Sequence, residues 1–113
     1  MEIITNKISV AELKEKASKM FGNLIKAVID IEKEIMAING ELHADEQAIL
    51  LENGSKQENL WGINIYPDNS GEDFIEFDSV INIRPSQQNR SRGVDNPEIQ
   101  KKILQIVNKL VER

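Results

Sequence analysis

The 113-residue sequence has no cysteine. That one absence excludes disulfides, thiol nucleophiles and cysteine-ligated metals, and a chain of this length buries a core without covalent staples. Aromatic residues make up 4% of the chain, with one Trp, one Tyr and three Phe, so a platform for stacking bases is poorly supplied. There is a single histidine. No apolar run approaches the ~18 residues of a membrane helix. The start, Met1-Glu2-Ile3-Ile4-Thr5, has neither a basic region nor an apolar signal core, so no export signal is expected and the cytoplasm is the expected compartment. Four signatures are missing: a glycine-rich phosphate loop, a nucleophile elbow, a zincin histidine pair and an RNA-binding aromatic motif.

What is present is ordinary for a soluble globular protein: 40% hydrophobic and 29% charged residues. The length suits a single domain spanning 1–113. Fourteen basic against nineteen acidic residues leave a net charge of −5. An acidic surface repels phosphate backbones over long range, which disfavours a nucleic-acid partner while leaving room for a local basic patch.

Residues 2–5 read as a short strand. Ser9-Val10-Ala11-Glu12 forms a capping box, with Ile8 and Leu13 in the staple positions around it. Val10, Leu13, Ala17 and Met20 recur at helical spacing beside Phe21, and Gly22 supplies a left-handed stop, which predicts a helix over 10–21. Residues 24–31 and 35–38 read as strands. Asn39-Gly40 is a hairpin signal that predicts a short return strand over 41–43. Residues 44–53 carry both strand and helix character, and Asp45 as a cap with Gly54 as a stop favours a helix. Residues 60–66 and 74–84 read as a pair of hairpin strands, with Ile75 and Phe77 facing one way and Glu76 and Asp78 the other. Asn96-Pro97-Glu98 is an N-cap, a first-turn proline and an early acid. The stripe Ile99, Ile103, Ile106, Val107, Leu110 and Val111 predicts a helix over 97–112. The whole reads as an α+β fold: a mostly antiparallel sheet of about five strands with two or three helices. The helices at 10–21 and 97–112 are expected on one face.

Chemistry concentrates in Arg84-Pro85-Ser86-Gln87-Gln88-Asn89-Arg90-Ser91-Arg92, which leads toward a helix N-terminus. Guanidinium forks match phosphate or carboxylate, and amides and hydroxyls add neutral donors. Arg84, Ser86, Gln87, Asn89, Arg90 and Arg92 are therefore candidate ligand-binding residues. The competing reading is a loop pinned by its own side chains, its arginines paired to acids such as Glu76, Asp78 or Asp95. A second candidate holds the only histidine: His43 as a general base with Asp45 as its orienting carboxylate. A metal there would need further ligands, and only Glu41 or Glu76 are obvious suppliers. The bland alternative is a half-buried histidine beside a helix cap. A third is the polar face Asn64, Glu76, Asp78 and Asn82, which a sheet with one wet face would carry without any function. Trp61-Gly62 could stack a ligand or simply fill the core.

Gly40–Asp45, Gly54–Gln57, Leu60–Asn64 and Ile81–Gln87 together resemble a family of small bacterial and archaeal proteins known as a domain of unknown function. The run Arg84-Pro85-Ser86-Gln87 is its most distinctive piece. The resemblance implies a stand-alone prokaryotic protein and brings no activity, cofactor or catalytic residue with it.

Three functions are compatible with these residues. The leading expectation is a binding or regulatory module with an anion-capable site in the 84–92 loop, recognising a small anion or an acidic group on a partner. The second is a small hydrolase or nuclease-like enzyme using His43 and Asp45. The third is an interaction protein that forms a homodimer through an edge strand. No metal, cofactor or membrane is expected, and the chain is expected to be a monomer or a homodimer.

Overall fold

The computed structural model describes residues 1–113. In chain order the elements are β1 (Glu2–Ile4), β2 (Ile8–Ser9), α1 (Val10–Ser18), β3 (Ile25–Asp30), β4 (Ile35–Ile38), α2 (His43–Glu52), β5 (Leu60–Ile65), β6 (Ile75–Glu76), α3 (Pro97–Leu110) and β7 (Val111–Glu112). Five strands form one antiparallel sheet in the order β1-β4-β3-β5-β6. The architecture is α+β, as the pattern predicts.

Alternation along the strands sorts their side chains to two faces. Ala27, Ile29, Met36, Ile38, Trp61, Ile63 and Ile65 pack with Leu13 and Ala17 of α1 and Ile103, Ile106, Val107 and Leu110 of α3. Those four α3 residues are almost fully buried, and each such burial contributes about 1.5–3 kcal/mol. The opposite face carries Val28, Ala37 and Leu60, covered by Leu50 of α2. All six residues of β5 are buried because helices cover both of its sides.

Local chemistry sets the turns. Asp30 closes β3: its Oδ1 accepts the N–H groups of Glu32 and Lys33, both at 2.9 Å, and its Oδ2 accepts the Ser55 hydroxyl at 2.6 Å. Ser9 caps α1, with Glu12 N–H donating to Oγ at 3.1 Å; the Glu12 carboxylate accepts the Ser9 hydroxyl at 3.2 Å in place of the backbone N–H of a full capping box. Asn96 caps α3 through Glu98 N–H at 2.9 Å.

Several boundaries differ from expectation. α1 stops at Ser18, because the chain turns so that Gly22 N–H reaches back to Ala17 O at 2.7 Å. Met20 and Phe21, expected in the apolar stripe, are consequently exposed. α3 ends at Leu110, where β7 extends to pair in parallel with β2, a contact with no signal in the sequence. Asn39 does take a positive φ of 66°, yet no return strand follows. The free edge of β4 is occupied by β1, and the chain runs directly into α2. The 44–53 segment is a helix, but Asp45 does not cap it: Leu42 holds the cap position and makes no side-chain bond there.

The largest departure is the strand expected over 74–84. Only Ile75 and Glu76 pair with β5. Ile75 and Phe77 face the main core as predicted. The extended run ends at Ser79, whose Oγ accepts Ile81 N–H at 3.3 Å and folds residues 80–82 into a 3₁₀ turn. Serine and asparagine side chains compete with ladder bonds in this way.

Candidate functional site

The Arg84–Arg92 loop is a small self-bonded hairpin. Arg84 and Asn89 exchange backbone bonds, Arg84 N–H to Asn89 O at 2.7 Å and Asn89 N–H to Arg84 O at 3.1 Å, around a left-handed Gln88 (φ 61°). The Arg84 guanidinium is buried. It donates to the carbonyls of Gln57 and Leu60 and lies over the Trp61 ring, 4.2 Å from its centroid. Burial alone pulls its pKa down from the usual arginine value. Asn89 is also buried: Nδ2 feeds the carbonyls of Asn82, Ser91 and Gly93 at 2.8, 3.2 and 2.9 Å, and Oδ1 accepts Asp95 N–H at 2.7 Å. Gln87 Nε2 donates to Glu58 O at 3.0 Å. Asp95 takes the Ser91 hydroxyl at 2.6 Å and Arg90 N–H at 3.1 Å, and these bonds hold its carboxyl below the usual range. The side chains of Ser86 and Arg90 are exposed.

Arg92 leaves this network. It lines a cleft of ≈ 210 Å³ on the α2 side of the sheet, between the start of α2 and the turn that follows Ser79. Lys26 of β3 enters from the sheet, while His43 and Ser79 stand on opposite walls. Leu42, Ala44, Val80 and Ile81 complete it, so half of the lining is apolar. Gly62 lets the Ser79 turn lie against the sheet: a Cβ there would meet Ser79 Cβ at 2.6 Å and Oγ at 2.7 Å. Ser79 N–H donates to Arg92 O at 2.9 Å, which ties Arg92 to the same turn.

The electrostatics of the cleft are uneven. Arg92 Nε is paired with Asp78 Oδ1 at 2.6 Å, and that bond raises its pKa. Lys26 is in no ion pair; its ammonium lies 5.0 Å from the centroid of Phe21. His43 Nε2 sits 2.7 Å from Ile63 O, so this nitrogen carries the proton and donates. Burial lowers the His43 pKa, the Ile63 bond opposing it, and the ring is neutral at pH 7. Its Nδ1 has no protein partner. The backbone amides of His43 and Ala44 have no acceptor either, because Leu42 offers none at the cap.

Behind the cleft, Asn64 stands opposite Lys26 in the β3–β5 register. Asn64 Nδ2 and the Tyr66 hydroxyl donate to Glu76 Oε1 at 2.9 and 3.0 Å, while Asn64 Oδ1 is buried without a partner. Further along α2, Glu46 is fully buried. Its Oε2 accepts Gly40 N–H at 2.9 Å, and its Oε1 has no partner. Burial pushes the Glu46 pKa up to about 9, so it is protonated at neutral pH and offers no counter-charge to Lys26.

Of the candidate ligand-binding residues the fold brings Arg92 to this cleft, together with His43, the candidate base. Arg84, Gln87 and Asn89 are engaged with backbone, and Ser86 and Arg90 face outward. His43 and Asp45 do not form a dyad. The imidazole is oriented by a carbonyl, and Asp45 lines a separate groove with Met1, Ala48 and Ile49. No group of three or more His, Asp or Glu side chains is arranged to hold a metal ion. No helix is long and apolar enough to cross a membrane. Lys26 and Ser79 went unnoticed in the sequence. Lys26 did leave a trace, as the lone cation in the apolar run Leu24-Ile25-Lys26-Ala27-Val28.

A protein-family model described as "Protein of unknown function (DUF5674)" matches residues 2–110, nearly the whole chain. No curated protein and no solved structure matches it.

Proposed function

We propose that this chain, which belongs to the DUF5674 family, is a binding module for a small anion, and that the cleft between α2 and the Ser79 turn is its site. The observation that carries this reading is a coincidence of donors. Lys26, unpaired, faces the same ≈ 210 Å³ space as Arg92 and the start of α2, where the amides of His43 and Ala44 lack acceptors. A helix N-terminus presents N–H groups and a partial positive charge, and a neighbouring lysine outside any ion pair adds a full charge.

The reading moves the site expected in the 84–92 loop by one step. Arg92, its charge paired with Asp78, borders the cleft, and the rest of the loop serves as the frame that holds Arg92 and the Ser79 turn. Titrating ¹⁵N-labelled protein with acetate and with inorganic phosphate tests it. The amides of His43 and Ala44 and the neighbours of Lys26 are expected to shift together, and Lys26→Met is expected to weaken binding about fivefold or more. Shifts confined to residues 86–90 would overturn the assignment.

A further inference from the structure

We propose, building on the reading of the cleft as an anion site, that its ligand is a small carboxylic acid with an apolar body, bound as a monoanion. Charge, donor count, lining and size each point to this class.

Charge comes first. Two cations border the cleft, but only one is available. Arg92 already holds Asp78 at 2.6 Å, whereas Lys26 is in no ion pair. The imidazole of His43 donates to Ile63 O through Nε2 and is neutral. The helix end adds a partial charge of about +0.5. One full and one partial positive charge balance a monoanion. A phosphate ester carries about −1.5 to −2 at pH 7, and it would bring more negative charge than the cleft balances.

The donors suit a carboxylate. Lys26 and the amides of His43 and Ala44 are three. Ser79 adds none: it is 1% exposed and its side chain packs into the gap at Gly62. An ionised carboxyl group is acceptor-only, with about four lone-pair sites on two oxygens. It can take all three donors and offers none that would need an acceptor.

The rest of the lining is greasy. Leu42 and Val80 are 55% and 63% exposed, among the most exposed large apolar side chains of the chain, and both border this cleft with Ala44 and Ile81. A ligand that places its carboxylate at the helix end lays its body between Leu42 and Val80, and covers apolar surface that water otherwise contacts. An ion without such a body, such as acetate or phosphate, gains nothing from these residues.

Size limits the body. The ≈ 210 Å³ of the cleft equals about seven waters at ~30 Å³ each. That accommodates a carboxylate with a branched aliphatic or single-ring body. It falls short of the roughly 300–1,000 Å³ of sites that take drug-sized ligands, and nucleotides are larger still.

The test uses the full chain and matched ligands by calorimetry at neutral pH and fixed ionic strength. The acids are 3-methylbutanoate and benzoate, the neutral isosteres 3-methylbutanamide and benzamide, and the other anions acetate, inorganic phosphate and phenyl phosphate. Each acid is expected to bind about tenfold or more tightly than its amide and than phenyl phosphate, and 3-methylbutanoate more tightly than acetate. Val80→Asn, at an exposed position where a fold defect is not expected, should narrow the gap between 3-methylbutanoate and acetate. Lys26→Met should weaken both. If phenyl phosphate or inorganic phosphate binds as well as the acids or better, the carboxylate class is overturned while the anion site stands. If the amides bind as well as the acids, or nothing binds at millimolar concentrations, both the class and the anion reading fall. If acetate equals 3-methylbutanoate, the apolar body is overturned alone.

Discussion

The carboxamide of Asn82 lies against Gly62 in place of a β-strand: Gly62 N–H donates to Asn82 Oδ1 at 2.8 Å, and Asn82 Nδ2 donates to Gly62 O at 2.9 Å. Beyond Glu76 the chain has left the sheet, so the edge of β5 at Gly62 would otherwise present an unpaired donor and acceptor in the interior. One side chain satisfies both. The same Nδ2 reaches Arg92 O at 3.0 Å, so Asn82 couples the sheet edge to the segment that carries Arg92 into the cleft. Gly62 takes part twice, as the partner of Asn82 and as the gap into which Ser79 fits.

Asn82→Asp is therefore expected to be far worse than its size suggests. It replaces an NH₂ that serves two carbonyls with an oxygen that repels both, at a position with no exposure. A loss on the order of 3 kcal/mol is expected from the midpoint of urea unfolding, and a smaller loss for Asn82→Ala, which leaves the groups unpaired without adding charge. Gly62→Ala should cost about 1–3 kcal/mol through its close approach to Ser79. It should also disturb the cleft, which Ala substitution at a distant site would not do.

Arg84 and Arg90 should behave as opposites although they lie six positions apart in one motif. Arg84 is buried, donates to two carbonyls and stacks on Trp61. Arg84→Ala is expected to cost on the order of 2–4 kcal/mol, because it strands the carbonyls of Gln57 and Leu60 and opens space beside the indole. Arg84→Lys keeps the charge but not the fork and should recover only part of the loss. Arg90 is exposed and only its backbone is engaged, so Arg90→Ala should lie within about 0.5 kcal/mol of the parent. Thermal denaturation of the three variants side by side settles the contrast.

Much of this architecture is legible in the residues. The Ser9 cap, the Asn96-Pro97-Glu98 start and the stripe on α3 act locally, so pattern alone finds them. The strand over 74–84 fails for a different reason. Its alternation of Ile and Phe continues past the point where Ser79 and Asn82 redirect the backbone, and a side chain that bonds backbone twenty positions away leaves no periodic trace. The cleft is hidden for the same reason. Lys26, His43, Ser79 and Arg92 come from four separate segments, and only the folding of α2 across the sheet brings them together. The 84–92 motif is conspicuous in sequence because it is polar and basic. Its two buried members, Arg84 and Asn89, are committed to backbone carbonyls, and the other polar side chains are exposed.

Glu46 gives the fold a pH dependence with a definite sign. Its carboxyl is protonated in the folded protein, with a pKa of about 9, and titrates near the ordinary value of 4.5 when unfolded. The folded state thus binds the extra proton between these limits. The contribution is fully present below the unfolded pKa and is lost as pH rises through the folded one. Stability should fall between about pH 5 and pH 9, by several kcal/mol if no other group compensates. Glu46→Gln keeps an oxygen for Gly40 N–H and cannot ionise. Its urea midpoint should be flatter across this range and higher than that of the parent at pH 9. A parent protein whose stability does not decline toward pH 9 would refute a buried neutral Glu46.

His43 should link anion binding to proton uptake. In the unliganded protein burial holds its pKa below 6.5, and Nε2 is committed to Ile63 O. The folding contribution of a depressed base is present above its unfolded pKa and is lost as pH falls through the folded one, so the free protein loses stability on the acid side. An anion in the cleft reverses the balance. It favours the imidazolium, whose Nδ1 then gains a hydrogen, and the pKa of the complex rises above that of the free protein. Affinity should therefore increase as pH falls between those two values, provided the pH stays above about 5 so that a carboxylate with an ordinary pKa of ~4.3 remains ionised. Calorimetry in two buffers of different ionisation enthalpy reads the uptake directly as a buffer-dependent heat. In His43→Gln the amide nitrogen can still donate to Ile63 O, and both the pH dependence and the buffer-dependent heat should disappear. If they persist, the linked proton belongs to another group, and the imidazole does not face the ligand.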